Sequence, residues 1–436
     1  LNLKHLMVPF LVISLSFLDT LTTIKLLTIF FAILLIFGIF KFSYYETKNT
    51  IFSLILSFFV LFNFGITFLV TSLEDNIWMN AFLVFFIYYL LKENWKVSAI
   101  LLSLAILIHV QAAVFLIMFF MYIYLKNKEK CKINEDQSKS IYKIYIKPSL
   151  YLLFPLIISY GIISLLKGTS IFDLILNLTA SDYRLNSEWW FFSSNRGIVE
   201  QITLVYYGLT STFVCRFPEF IQIMPQATLF SAIFFIALTI VSLKFFKLNL
   251  KTLCALPTFL ILFVHSIFYE SWNLERWDFL PILFVYFVAT SYSDIKDKWG
   301  TRKTEALTFY LAILTIIGVS FTLSSFYLMS GFSSNPIYDY ADKLSEVITE
   351  KDLVIESIRD NSELGLYIKY KLNDKVVFIS KDKLPHLIPD FSLFKNIYCS
   401  YYTYSFLSKD IPLKGSLVWL NGKNQAFSIM RVALDQ

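Results

Sequence analysis

Charge is what this chain has least of. Of its 436 residues 57% are hydrophobic, 18% aromatic and only 16% Asp, Glu, Lys or Arg, whereas a soluble globular chain averages about 25% charged. So little charge cannot cover a water-facing surface, and most of the chain is expected in lipid. The scarcity is uneven. Residues 332–436 carry 13 Lys+Arg and 13 Asp+Glu, an ordinary soluble density, which divides the chain into a polytopic transmembrane domain over 1–331 and a soluble domain over 332–436. Cysteine is scarce as well: Cys131, Cys215, Cys254 and Cys399 stand far apart without CxxC or Cys/His metal spacing, so neither a zinc site nor a disulfide framework follows. Composition also excludes disorder, collagen and a coiled coil. There is no Walker A, GxSxG or HExxH motif, which removes the commonest ATPase, hydrolase and metalloprotease readings. Nor is there an n-region and cleavage site of a signal peptide ahead of the first apolar run; opening as it does on Leu1, the chain is expected to be truncated at its N-terminus.

What is present in quantity is long apolar runs. A lipid span takes roughly 17–25 mostly apolar residues, and candidates lie at 6–20, 26–42, 51–72, 77–92, 98–125, 148–166, 226–246, 252–270, 276–292 and 306–330. Residues 201–215, interrupted by Tyr206, Tyr207, Gly208 and hydroxyl side chains, read equally as a short span, a re-entrant segment or an interfacial helix. The expected fold is an α-helical polytopic membrane protein of about 10–11 spans, followed by a small α/β domain.

Lys and Arg in short loops mark the cytoplasmic side. Segment 126–147 has seven lysines against three acids, 294–305 has Lys296, Lys298, Arg302 and Lys303, and 244–251 has Lys244, Lys247 and Lys251. With Lys41, Lys48, Lys92 and Lys96 they define an inner side, which leaves Glu74-Asp75, the loop 271–278 and the tail after 331 outside. The net charge of +6 is thereby accounted for by membrane orientation, and nucleic acid is not expected as a partner. Residues 93–97 and 126–147 then share a side although 98–125 is a single apolar run. Either the run breaks near His109 and Gln111 and returns as two short halves, or it is one tilted span with the loop signs misread.

The tail has a different grammar. Short β-type runs at 352–356, 376–380, 396–400, 416–420 and 427–430 alternate early on with helical stretches near 340–350 and 361–371. That alternation predicts a small α/β domain with a largely parallel sheet.

Ionisable residues at membrane boundaries are costly and mark candidate sites. Glu74 and Asp75, adjacent between two strong spans, are able to hold a divalent cation or act as general base; nothing in the sequence requires a cofactor. Arg276, between Trp272 and Trp277, suits bidentate contact with a phosphate beside rings that anchor lipid. The loop 167–200, with Asp182, Arg184, Trp189 and Trp190, mixes aromatic faces and charged groups that suit a sugar. His5 and His109 complete the candidate substrate-binding set. Each has a plainer reading as loop, belt or packing residue.

Three stretches together carry a family resemblance. Asn2-Leu3-Lys4-His5-Leu6-Met7-Val8-Pro9, Glu74-Asp75 between two spans, and Arg276-Trp277-Asp278-Phe279-Leu280-Pro281 resemble motifs of the GT-C superfamily of polyprenyl-phosphate-sugar-dependent membrane glycosyltransferases, which includes protein O-mannosyltransferases and lipid A aminoarabinose transferases. Trp277 stands where that family has Tyr, and the family's first span and first outer loop would lie before Leu1. The resemblance implies a lipid-linked sugar donor, a glycan, lipid or protein acceptor, and a bacterial cytoplasmic membrane with the C-terminal domain outside. It also implies inverting transfer at the outer face, with Arg276 on the leaving phosphate and Glu74 and Asp75 in catalytic or metal-binding roles. The alternatives are a surface-polysaccharide polymerase or ligase using Arg184, Arg196 and Arg216, and a transporter or non-catalytic membrane protein. The absence of a repeat between halves weighs against transport.

Overall fold

The computed structural model describes residues 20–71, 75–133, 145–167, 197–212, 236, 249–268, 276–331, 336–349, 351–357, 368, 371–372, 376–378, 395–408, 413–421 and 425–434. They fall into two compact units, Leu1–Ser325 and Phe326–Gln436.

In the first unit the apolar runs become helices. α1 (Thr20–Thr47) is followed by α2 (Thr50–Leu61) and α3 (Phe64–Thr71). Asn49 caps α2 by accepting from Phe52 N. The run expected as one span over 51–72 is thus a pair bent by 61°. Thr67 Oγ1 donates to the Leu61 carbonyl at 2.8 Å, satisfying a backbone acceptor that the bend frees, while the Asn63 carbonyl accepts from Thr67 N at 2.9 Å. α4 (Asn76–Leu91) returns beside α1, and α5 (Trp95–Ile108) reverses again.

The run 98–125 is broken. α5 ends at His109, which is extended at φ −143° and ψ 126°; a 3₁₀ turn (Val110–Val114) follows, and then α6 (Phe115–Ile133). Glu93, before α5, lies 3.7 Å from Lys126 on α6. Both ends of the run therefore sit at one end of the bundle, so the run breaks and returns and is not one tilted span; of its two parts only Trp95–Ile108 is short, Val110–Glu129 being long enough to cross a membrane. α7 (Lys147–Lys167) and α8 (Ile198–Ser211) follow. At 14 residues, about 21 Å long, α8 is too short to cross a bilayer. It docks through Thr212, whose carbonyl accepts from Gly65 N at 2.8 Å.

α9 (Leu250–Phe268) and α10 (Phe279–Gly331), the latter two helical stretches meeting at a kink, complete the unit, the last residues of α10 passing into the second. The runs 276–292 and 306–330 are joined in α10 through Gly300, at φ 73° and ψ 171°, a backbone region open essentially to glycine alone. Among the described residues four helices are long and apolar enough to cross a membrane, five if the bent pair is one span, and Asn76–Leu91, Trp95–Ile108 and Lys147–Ile162 are shorter apolar helices. The expected runs 6–20 and 226–246 lie outside the described residues, apart from residue 236 in the latter.

Polar contacts sort to the two ends of this bundle. At one end Glu46 pairs with Lys251 at 2.5 Å, Asn49 donates to Tyr292 Oη at 2.9 Å, and Asn249 donates to the Thr290 carbonyl. At the other, Trp78 Nε1 donates to Thr28 Oγ1 at 3.2 Å and Asn80 Nδ2 to Asp278 Oδ2 at 2.7 Å.

The second unit opens with α11 (Pro336–Val347) and carries a five-stranded sheet of β1 (Asp352–Glu356), β2 (Val376–Phe378), β3 (Asn396–Ser400), β4 (Leu413–Trp419) and β5 (Ile429–Leu434), in the order β2-β1-β3-β5-β4, with α12 (Tyr401–Leu407) after β3. β1 is parallel to β2 and β3, but β5 is antiparallel to β3 and β4. The sheet is mixed rather than largely parallel, because the connection 420–428 is shorter than the dozen or so residues a parallel crossover needs. Alternate residues of β1 and β3 serve opposite cores: Leu353, Ile355, Ile397 and Cys399 on one side, Val354 and Tyr398 with Tyr340 and Leu344 of α11 on the other.

At the end of β1, Glu356 is fully buried. Its Oε1 accepts from Ser400 N at 2.9 Å and from Tyr340 Oη, and its Oε2 from Ser400 Oγ at 2.9 Å and Thr403 Oγ1 at 2.6 Å. Burial holds the carboxyl above its ordinary value, with the four hydrogen bonds opposing the shift.

Candidate functional site

The start of α4 places Asp75, Asn76 and, in the second turn, Asn80 at the end of the bundle opposite Glu46 and Lys251. Asp75 precedes α4; its carbonyl accepts from Trp78 N and Met79 N, and its side chain makes no cap hydrogen bond. A carboxylate here meets the positive end of the helix dipole. A little more than a turn further on, Asn80 is fully buried and reaches Asp278, itself fully buried just ahead of α10. Among the described residues Asn80 Oδ1 has no hydrogen-bond partner.

Arg276 is half-buried two residues before Asp278. Its carbonyl accepts from Ser266 Oγ at 2.5 Å, which ties it to the last turn of α9. The tight Asn80–Asp278 contact therefore brings Asp75, at the start of α4, and the described residues 276–278, ahead of α10, to the same end of one bundle. A carboxylate for proton transfer and a guanidinium for a phosphate are the two charges a glycosyl transfer from a lipid phosphate calls for.

The candidate residues fare differently. Asp75 and Arg276 belong to this end. Trp277 was expected as a substrate-side ring anchoring lipid beside Arg276; it is fully buried, edge-on to Phe263 with ring centres 5.7 Å apart, and packs the start of α10 against α9. His109 Nδ1 accepts from Gln111 N at 3.2 Å and so caps the 3₁₀ turn that breaks 98–125. Glu74, Trp272, Asp182, Arg184, Trp189, Trp190 and His5 lie outside the described residues. Among the described residues no three His, Cys, Asp or Glu side chains come together as a metal site. Asn80, Asp278 and Ser266 were not singled out from the sequence. Asn76 and Asn80, four apart in an otherwise apolar helix, are the signal that would have found the first of them.

No protein-family profile matches the sequence, and no curated protein matches it. Among solved structures the chain is similar to ArnT from Cupriavidus metallidurans bound to undecaprenyl phosphate, at TM-score 0.50 and 11% identity over 94% of this chain and 83% of that one. It is similar also to ArnT from the same organism in the apo state, at TM-score 0.51 and 10% identity over the same shares. The chain has the ArnT fold. That is the architecture the GT-C resemblance implies, and with the apolar helices it makes this an integral membrane protein. At this identity the ArnT likeness speaks to the fold alone.

Proposed function

We infer that the chain is a membrane glycosyltransferase that moves a sugar from a polyprenyl-phosphate donor to an acceptor hydroxyl on a glycan, lipid or protein. The observation that carries this reading is the ArnT fold over 94% of the chain, one of those structures being bound to undecaprenyl phosphate. The meeting of Asp75, Asn80, Asp278 and Arg276 at one end supports it.

In this reading a carboxylate of the Glu74–Asp75 pair takes the acceptor's proton. The freed oxygen bonds to the anomeric carbon, the bond from that carbon to the phosphate oxygen breaks, and the electron pair leaves on the polyprenyl phosphate, inverting the configuration. Arg276 meets the negative charge that grows on the leaving phosphate, where a positioned donor counts most. Asp278 is a positioning residue: held by Asn80, it sets the segment that presents Arg276. Glu74 and Asp75 are also the pair that would hold a divalent cation, which would supply further positive charge. This end of the bundle faces outward from a bacterial cytoplasmic membrane, with the C-terminal domain on the same side.

The test is consumption of a labelled polyprenyl-phosphate monosaccharide by the purified protein, with release of polyprenyl phosphate. Arg276→Lys keeps the charge and loses the fork geometry, so turnover should fall by about tenfold or more at unchanged expression. Elongation of a lipid-linked oligosaccharide with no use of any monosaccharide donor would overturn the reading in favour of a polymerase.

A further inference from the structure

The lysine-bearing end of the bundle holds an arrangement that the outer site does not use. Tyr45 of α1 and Tyr88 of α4 meet edge to face, ring centres 6.0 Å apart at 89°. Lys48 Nζ stands 4.7 Å from the Tyr45 ring centre; Lys92 Nζ stands 5.7 Å from the same centre and 4.8 Å from that of Tyr88. Both lysines are exposed and both tyrosines half-buried. The rings attract each ammonium, but two like charges gathered around one ring repel each other, and an anion would relieve that repulsion.

The neighbouring acids are taken. Glu46 pairs with Lys251 at 2.5 Å and Glu93 with Lys126 at 3.7 Å. Among the described residues neither Lys48 nor Lys92 has an ion-pair partner. The shared Tyr45 ring places the two at one level: Lys48, at φ 52°, directly follows α1, and Lys92 caps the C-terminus of α4, followed by Glu93 at φ 59°.

An apolar stripe leads to this cradle. Phe30, Ile33, Phe37 and Tyr44 are exposed along α1 at helical spacing, in line with Lys41 and Lys48. On α4, Phe85 meets Phe37 at 6.3 Å and shares a face with Lys92. Gly38 lets the two helices close, since a Cβ there would stand 2.8 Å from Val84 Cγ1. An exposed apolar stripe on a span faces acyl chains, and cations at its end sit at headgroup depth.

We propose that Lys48 and Lys92, over Tyr45 and Tyr88, bind the phosphate of an anionic membrane lipid whose acyl chains lie along the Phe37–Phe85 face. Such a lipid supplies the negative charge that the lysines lack, acceptor oxygens for their N–H groups, and tails for the stripe. A free phosphate would supply only the first two. The site is at the opposite end of the bundle from Asp75 and Arg276 and does not depend on the proposed transfer reaction.

The experiment is native mass spectrometry of the full purified chain with phosphatidylglycerol or phosphatidylcholine of identical acyl chains. Phosphatidylglycerol should be retained preferentially and should raise the thermal midpoint more than phosphatidylcholine does. Lys48→Gln with Lys92→Gln should cut the preference by about tenfold or more, and Lys48→Arg with Lys92→Arg should keep it. Lys343→Gln with Lys371→Gln, an equal charge change at lysines paired with Glu346 and Asp342, should leave it intact. Equal retention and equal stabilisation by the two lipids in the unaltered chain overturns the proposal without recourse to any variant. A preference that survives the Gln pair overturns it as well. So does stripping of the bound lipid by excess inorganic phosphate, which would mark a site for soluble anions.

Discussion

Replacing Asn80 with Leu takes a hydrogen-bond donor away from a carboxylate that has no access to water. Asn80 Nδ2 lies 2.7 Å from Asp278 Oδ2 and both residues are 0% exposed. Leaving a buried polar group without its partner costs roughly 1–3 kcal/mol, and Leu is close to Asn in volume, so no large cavity adds to the loss. Asn80→Leu should therefore cost about 2–3 kcal/mol. Asp278→Asn keeps an acceptor oxygen for Asn80 and should cost less, about 1 kcal/mol. Asn80→Leu combined with Asp278→Leu removes both partners, and its cost should fall short of the two single costs together by about 1.5 kcal/mol or more. The assay is reversible unfolding of the purified protein in mixed SDS and mild-detergent micelles, run as a full double-mutant cycle. Costs that add to within about 0.5 kcal/mol would show that the contact does not hold the two loops together. The shared-end argument for Asp75 and Arg276 would then fail with it. Because the contact sets where Arg276 is presented, Asn80→Leu should also raise KM for the donor more than it lowers kcat.

Further expectations follow from single residues. At Gly300 an added Cβ meets open space, so Gly300→Ala tests the backbone alone and should destabilise by about 1–3 kcal/mol in the same unfolding assay. Gly38→Ala has ordinary helical backbone but drives a methyl against Val84; overpacking should cost about 1–3 kcal/mol, and Val84→Ala should recover part of it. Glu356 titrates above its ordinary value of 4.5 because it is buried, so the stability it lends is fully present below that value and is lost as pH rises through its folded value. Hydrogen exchange of the β1 and β3 amides, corrected for intrinsic pH dependence, should show this loss in the unaltered protein, and Glu356→Gln should flatten it. An unchanged profile in that variant would refute the assignment.

The sequence by itself determined the class of the molecule. Sixteen per cent charge and runs of apolar residues leave no solvent but lipid, because backbone and side chains partition by transfer free energy whatever the later packing. Lysine placement assigned Lys48, Lys92, Lys126 and Lys251 to one side and Asp75 and Arg276 to the other, and the bundle places these two groups at opposite ends, since loop charge and helix length together limit where a chain can turn. The strands at 352–356 and 396–400 were legible from β-branched and aromatic residues. Hydropathy could not say where a run breaks. The bend between α2 and α3 and the reversal at His109 depend on the side chains of Thr67 and His109 meeting backbone groups that only a particular local geometry frees. Nor could the run at 427–430 reveal that β5 joins its neighbours antiparallel, because strand direction is set by connection length and by pairing partners. The Asn80–Asp278 contact is the clearest case. The two residues are 198 positions apart, and their meeting is decided by how α4 and α10 pack, a property of the assembled bundle that neither segment carries alone.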